Sequence, residues 1–338
     1  MCLAATPAPT PPIRGASRVC DEQSARFHVS VMLSEVLEYL NPRPGGKHLE
    51  CGVSTGGHLL AICGRIGESG YAVAIDLDED AISVARRRIV EAGSGCKVEF
   101  KCDDYSRMDA ILEPVGIAQG FFDTALLDAG MSGFQLASDR GFSYSRESRL
   151  DMKYGKQQST DAECIVNNCD VVELARIFEE YGDLPEARRV AQAIVEFRKD
   201  MLICTSTQLV EALSVVFPSR MPHGKRMRRL GQVFMALREA VNDGKSGLRF
   251  GLDRAIRYLK NDGGRLAVLT FAGHENVIVR TVAGEYRKPG ANNPDWILKR
   301  ITKGALKPTK RETELNPAAH SAMLRVYEKR QTGAKEEV

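Results

Sequence analysis

Carboxylates stand at the ends of successive apolar segments of the sequence. Asp76 lies near the end of "YAVAIDLD", Asp103 and Asp104 follow "KVEFKC", and Asp128 lies in "DTALLDAG". These segments have the length and composition of buried strands, and the carboxyl ends of parallel strands meet at one rim of a sheet. A carboxylate after the second strand can accept both ribose hydroxyls of an adenosine. Acids after the third and fourth strands suit an amine or a cation, which favours S-adenosylmethionine over a dinucleotide.

The loop after the first predicted strand is rich in small residues. In "HLECGVSTGGHLLA" (48–61), Gly52, Gly56 and Gly57 allow a tight turn, and Ser54 and Thr55 can cap the next helix. The loop after the first strand is the usual ligand cradle of an open α/β sheet. Taken singly, a strand-end acid is more typical of a helix N-cap or a solvated turn, and a lone glycine loop is weak evidence of a ligand site. The prediction of a ligand site therefore rests on the whole set.

Strand and helix patterns alternate along the chain. Segments 55–66 and 79–92 carry apolar residues at helical spacing, and the second begins with acids and ends with arginines, as the helix dipole favours. This alternation predicts an α/β fold with a doubly wound parallel sheet. The five predicted strands are 47–51, 71–78, 97–102, 123–130 and 263–271.

A long segment separates the fourth and fifth predicted strands. It contains three amphipathic patterns, "DVVELARIFEEYG", "LPEARRVAQAIVEFRK" and "STQLVEALSVVF", which predict a helical subdomain inserted at 136–228. The sheet domain is then discontinuous, formed by 28–135 and 229–338. After 285 the chain is rich in Lys, Pro and Asn, and "HSAMLRVYEKR" predicts a short closing helix.

Composition limits the function classes. The 338 residues, 43% of them hydrophobic, can form a large core, and no run of about 18 apolar residues predicts a membrane span. A formal charge of +3 is too small to indicate a partner. The nine cysteines include no Cys-x-x-Cys pair, and no histidine spacing suits zinc. We therefore expect free thiols in a reducing compartment, and neither a metal site nor a membrane partner.

The first 27 residues differ in composition from the rest. They contain Arg14 and Arg18 and no acid before Asp21, which is typical of a cleaved organellar leader and predicts the mitochondrial matrix. The segment "TPAPTPP" would break an amphipathic helix, so a disordered tail on a cytoplasmic protein is the alternative.

An ordered set of motifs runs from about 28 to 330. The motifs are "FHVSVMLSEVLEYLNPRPGG", "GGHLLAI", "AIDLDEDAI", "LLDAGMSGFQL", "RGFSY", "LDMK", "YGDLPEARRVAQAIVEFR", "FMALREAVND", "GGRLAVLTF" and "NPAAHSAMLRV". This set resembles the MraW (RsmH) family of S-adenosylmethionine-dependent methyltransferases, which modify N4 of a cytosine in small-subunit ribosomal RNA. The resemblance implies a class I (Rossmann-like) methyltransferase sheet with a helical subdomain inserted after the fourth strand.

The resemblance also implies roles for individual residues. S-adenosylmethionine would be held around its methionine part, its ribose and its adenine by Gly56, Gly57, His58, Asp76, Tyr105, Asp128 and Gln135. Asp128 is also the candidate catalytic residue, as a hydrogen-bond acceptor for the reacting amine. No histidine or lysine base is indicated.

Two segments depart from the family pattern. "TFAGHENV" (270–277) loses the first histidine, the aspartate and the arginine of the family motif, and "RRLGQ" (228–232) replaces His-Pro-Ala-Thr-Arg. We expect both segments on the substrate side of the cleft. Two function classes therefore stay open: an active ribosomal RNA methyltransferase, or a degenerate relative that binds small-subunit RNA as an assembly factor. A methyltransferase for another, smaller amine is a third reading.

Two basic clusters could bind RNA phosphates. "HGKRMRR" (223–229) contains Lys225, Arg226, Arg228 and Arg229, and a second run lies at 298–311. Each phosphate contact contributes affinity through counterion release. The alternative for each cluster is a solvated basic face. With the family resemblance, the clusters predict small-subunit ribosomal RNA and the assembling small subunit as partners.

Overall fold

The computed structural model describes residues 30–156 and 158–332, and it is built around one seven-stranded sheet. The predicted leader, 1–27, lies outside the described residues. The strands are β1 (Lys47–Cys51), β2 (Tyr71–Asp76), β3 (Lys97–Cys102), β4 (Thr124–Asp128), β5 (Arg265–Thr270), β6 (Trp296–Arg300) and β7 (Met323–Gln331). Their order is β3-β2-β1-β4-β5-β7-β6. The order reverses direction between β1 and β4, which is where open α/β sheets bind ligands.

The five predicted strands are confirmed, with ends shifted by at most two residues. They pair in parallel, and β1, β2, β4 and β5 are almost fully buried because helices cover both faces of the sheet. In chain order the helices are α1 (Leu33–Leu40), α2 (Gly57–Ile66), α3 (Glu79–Glu91), α4 (Met108–Leu112), α5 (Gly133–Leu136), α6 (Ala162–Asn168), α7 (Val171–Glu180), α8 (Ala187–Phe197), α9 (Ser206–Ala212), α10 (His223–Asn242), α11 (Gly244–Tyr258), α12 (Gly273–Glu285) and α13 (Lys310–Leu315).

The inserted helices form a core of their own. The three amphipathic patterns of the sequence are α7, α8 and α9 with the short 3₁₀ turn after it, so these helices are confirmed. Their apolar faces pack into one cluster that runs in sequence from Phe142 to Val241. The predicted boundary at 228 is wrong, because it falls inside α10, whose Val233, Phe234 and Leu237 belong to the core of the insert.

The C-terminal segment is a strand where the sequence predicted a helix. Residues Met323–Gln331 form β7, antiparallel to β5, and β6 pairs antiparallel with its outer edge. Leu324 and Val326 pack on one face of the sheet and Tyr327 on the other, which is the alternation of a strand. The apolar spacing of a short segment does not distinguish a helix from a strand. Here the segment forms a strand because it pairs with the edge of β5.

No helix in the two described ranges is both long enough and apolar enough to cross a membrane.

Candidate functional site

A cavity of about 330 Å³ lies at the carboxyl ends of the parallel strands, within the size range of small-molecule sites. Five of the seven residues predicted to hold the cofactor line it: His58, Asp76, Tyr105, Asp128 and Gln135. They come from segments that follow four different strands. The predicted clustering is thus observed for these five, while their contact with the cofactor stays a prediction.

The glycines of the loop after β1 allow close packing against different parts of the protein. Gly52 lines the cavity with φ near +80°, and a Cβ there would lie 2.4 Å from the Asp128 carbonyl oxygen. Gly56 and Gly57, which were predicted to contact the cofactor, do not line the cavity. A Cβ at Gly56 would lie 2.9 Å from Cβ of Ala85, and one at Gly57 would lie 2.0 Å from a serine hydroxyl. These two glycines let α2 pack closely, and Gly52 is the loop glycine next to the cavity.

Asp76 joins two loops at the edge of the cavity. One carboxylate oxygen accepts from the backbone N–H of Ser54 at 2.7 Å, and the other from that of Asp78 at 2.9 Å. A carboxylate offers about four acceptor positions, so capacity remains for ribose hydroxyls. Burial raises the pKa of Asp76 to about 6, although both backbone hydrogen bonds oppose the rise.

His58 and Asp128 face each other across the loop junction. The Nε2–H of His58 donates to the Val31 carbonyl oxygen at 2.9 Å, and its Nδ1 lies 3.8 Å from a carboxylate oxygen of Asp128. About a quarter of the Asp128 side chain is accessible. Burial raises the pKa of Asp128, and the nearby carboxyls of Glu50, Glu275 and Asp76 raise it further. A cation in the cavity would reverse this effect by favouring the carboxylate.

The side chains of Gln135 and Tyr105 are fixed by the protein. The Gln135 side-chain oxygen accepts from the Ser132 backbone N–H, and its amide nitrogen donates to Asp78 at 3.2 Å. The Tyr105 ring packs so closely on α11 that a Cβ at Gly251 would lie 2.2 Å from it. Both residues therefore shape the cavity wall with little freedom to move.

The substrate side of the cavity, called the acceptor side below, was predicted only in part. Phe271, Ala272 and Glu275, all within "TFAGHENV", line the cavity as expected for the substrate side. The segment 228–232 does not line it. Residues one to three turns further along α10 do so instead: Met235, Arg238, Glu239 and Asn242. The motif "FMALREAVND" marked this part of α10, but nothing in the sequence indicated which helix face meets the sheet.

The charge of the cavity fits a cationic ligand. Its described lining holds five carboxyl groups and only one guanidinium, that of Arg238; the carboxyls belong to Asp76, Asp104, Asp128, Glu239 and Glu275. The sulfonium and amino groups of S-adenosylmethionine are both positive, and Asp76 keeps acceptor capacity for its ribose. The residues present thus match the cofactor expected from the strand-end acids.

The sheet order and this acid-lined cavity define a class I methyltransferase. The model of the MraW methylase family matches residues 25–330, and the chain belongs to that family. S-adenosylmethionine is its cofactor.

Relatives match over most of their length. The protein named ribosomal RNA small subunit methyltransferase H of Symbiobacterium thermophilum is 34% identical over 321 residues, which are 91% of this chain and 98% of that protein. The protein of the same name from Nitratidesulfovibrio vulgaris is 39% identical over 260 residues, 76% of this chain and 71% of that one. A solved S-adenosylmethionine-dependent O-methyltransferase from Thermotoga maritima matches at 12% identity and a TM-score of 0.41, covering 92% of this chain and 70% of that one. That likeness is too distant to bear on function.

The four cations predicted to bind RNA differ in their surroundings. All lie in the first two turns of α10, where Lys225 and Arg228 are exposed. Arg226 is half-buried, and its Nε–H donates to the Phe217 carbonyl oxygen at 3.0 Å. The Arg229 side chain is only 15% exposed, and its Nε lies 3.0 Å from a carboxylate oxygen of Glu186. Arg229 is therefore a structural residue of the insert, and its prediction as a phosphate contact does not fit the structure.

Cofactor affinity is predicted to follow the charge of Asp76. Below its raised pKa of about 6 the carboxyl takes up a proton and loses capacity to accept from a ribose hydroxyl. Affinity for S-adenosylhomocysteine, measured by calorimetry over a pH series, should be constant above about pH 7. It should fall about fivefold from pH 6 to pH 5, because the ionised fraction falls from about one half at the pKa to about one tenth one pH unit below it.

The variant Asp76→Asn tests the assignment. At pH 8 it should lose about 1.5–3 kcal/mol of binding free energy, and the decrease below pH 6 should disappear. The matched control is Asp80→Asn, an exposed acid four residues later, which should keep the wild-type profile. A variant Asp76→Asn that retains the decrease would assign the proton to another carboxyl of the cavity.

Proposed function

We propose that the protein methylates the exocyclic N4 amine of a cytosine in small-subunit ribosomal RNA. Support comes from the relatives named ribosomal RNA small subunit methyltransferase H, which match this chain over up to 98% of their length. The observation that carries the proposal is the acidic cavity at the carboxyl ends of the strands, bounded on its acceptor side by carboxyl groups.

An exocyclic amine suits this cavity better than a hydroxyl. The bound cofactor supplies an electrophilic methyl group, so the protein must position the amine in line with it rather than generate a strong nucleophile. Carboxylates accept hydrogen bonds from an amine, and Asp128 presents about a quarter of its side chain to the cavity. We assign to Asp128 the role of holding the amine, the cofactor, or both. The cytosine must leave any base stack to enter.

The exposed cations of α10 give the RNA a separate surface. Along α10, Lys225 and Arg228 lie about 10 to 20 Å from the cavity-lining residues Met235 and Arg238, at about 1.5 Å per residue. This separation exceeds a Debye length of about 8–10 Å. The second basic run adds the exposed Lys303, Lys307 and Lys310. We therefore propose that phosphate binding and cofactor binding use separate parts of the protein.

Methyl transfer to immature small subunits tests the reaction. With S-adenosylmethionine carrying a deuterated methyl group, mass spectrometry of the digested RNA should show one labelled nucleoside, N4-methylcytidine. The variant Asp128→Asn should lower the transfer rate at least about tenfold, the order expected for loss of a positioned polar group. Label on any other nucleoside would refute the cytosine N4 assignment. Particle binding without transfer would favour the assembly-factor alternative.

Neutralising the two exposed cations of α10 together with the half-buried Arg226 tests the RNA surface. The triple variant Lys225→Gln, Arg226→Gln, Arg228→Gln removes three charges. It should lower the log–log salt slope of small-subunit binding by about two to three units if each cation neutralises one phosphate. Cofactor affinity, measured on the same protein, should stay within about twofold because the cavity lies beyond the screening length.

The control for this variant removes three exposed cations from the sheet domain: Arg65→Gln, Arg86→Gln and Lys97→Gln. Particle binding should then keep its salt slope. Equal effects of the two triple variants would show that the basic segment of α10 is an ordinary solvated face.

A further inference from the structure

We propose that Glu239, His274 and Glu275 form a binding site for one divalent transition-metal ion. Glu239 lies in the last turn of α10, and the other two residues lie in the first turn of α12. One potential ligand atom from each of the three lies within 4.8 Å of the other two. Glu239 and Glu275 also line the cofactor cavity, and the inference does not depend on which nucleotide is methylated.

The spacing of the three side chains is close to that of a metal site. Bonds from zinc and similar ions to imidazole nitrogen and carboxylate oxygen are about 2.0–2.2 Å, so two ligands of one ion lie at most about 4.4 Å apart. The observed upper limit of 4.8 Å exceeds this by a few tenths of an ångström. Small rotations of the two glutamate side chains can close such a gap.

His274 supplies a second, independent observation. Its Nε2 atom is buried and has no hydrogen-bond partner in the described parts of the chain. The nearest carboxylate oxygen, on Glu239, lies 3.7 Å away, which is beyond hydrogen-bond distance. A buried ring nitrogen without a hydrogen bond costs free energy, and a metal ion bound between it and the Glu239 carboxylate would replace this long ion pair by two direct bonds.

The charges around the cluster favour a cation. Within the described residues, His274 is the only ion-pair partner of Glu239, and Glu275 has none. Glu275 is held in place by the backbone N–H groups of Phe271 and Ala272, which both donate to its Oε2. The neighbouring guanidinium of Arg238 contacts the sulfur of Met131 instead. Two carboxylates and one imidazole are ligands suited to Mn²⁺, Fe²⁺ or Zn²⁺.

The site would open towards the cofactor cavity, because Glu239 and Glu275 line it. Three protein ligands leave coordination positions free, as in catalytic rather than structural metal sites. An ion here would offer those positions to water or to an oxygen atom of the acceptor. The cysteine and histidine spacing of the sequence predicted no metal site. The three ligands follow no spacing rule, since two are adjacent and the third precedes them by a whole helix.

Metal binding to the full chain tests the proposal. After removal of metals by a chelator, calorimetric titration with Mn²⁺ should show one saturable site. Each isosteric variant, Glu239→Gln and Glu275→Gln, and also His274→Gln, should weaken Mn²⁺ binding by more than about tenfold, since even outer contacts of a metal site are worth that much. The control Glu285→Gln, at the far end of α12, should bind Mn²⁺ as the wild type does.

Two further measurements make the result decisive. Electron spin-echo modulation of bound Mn²⁺ should show coupling to an imidazole nitrogen, and His274→Gln should abolish that coupling. A circular dichroism spectrum and a thermal unfolding midpoint like those of the wild type would show that the variants are folded. Absence of saturable Mn²⁺ and Zn²⁺ binding at millimolar concentration would overturn the proposal, as would Mn²⁺ binding that none of the three variants weakens.

Discussion

The carboxylate of Asp76 is the contact on which the cavity depends. It joins the loop after β1 to the loop after β2 by accepting one backbone N–H from each. The same loop after β1 approaches β4 so closely that only glycine fits at Gly52. Three adjacent strand ends are thereby held in one arrangement. Burial raises its pKa to about 6. Because this value is still below neutral pH, the site keeps an ionised acceptor there.

The inserted helices complete the other side of the cavity. Helix α10 begins in the basic segment, packs its middle into the core of the insert, and ends beside the sheet with Arg238 and Glu239 at the cavity. One rigid helix therefore connects the proposed RNA surface to the acceptor side of the cofactor site. Under the proposed function, the distance along α10 would set where a target nucleotide lies relative to the cofactor cavity.

The parallel strands and the cofactor side could be predicted because their signals are local. Buried strands appear as short apolar segments of the sequence, and Asp76 and Asp128 are the last residues of two of them. The strand β7 could not be predicted, since its state depends on pairing with β5, which ends more than 50 residues earlier. The cluster of Glu239, His274 and Glu275 was missed for a related reason: it forms only where the end of α10 meets the start of α12. The close packing at Gly56 and Gly57 was also not predicted, because sequence does not show which way a loop glycine faces.

A crystal structure with S-adenosylhomocysteine tests the central claim most directly. The account predicts the ligand in the cavity at the carboxyl ends of β1, β2 and β4, with a ribose hydroxyl within about 3 Å of the Asp76 carboxylate. Its sulfur should point to the space between Asp128 and the loop after β5. A ligand bound elsewhere, or a ribose that does not contact Asp76, would contradict the account.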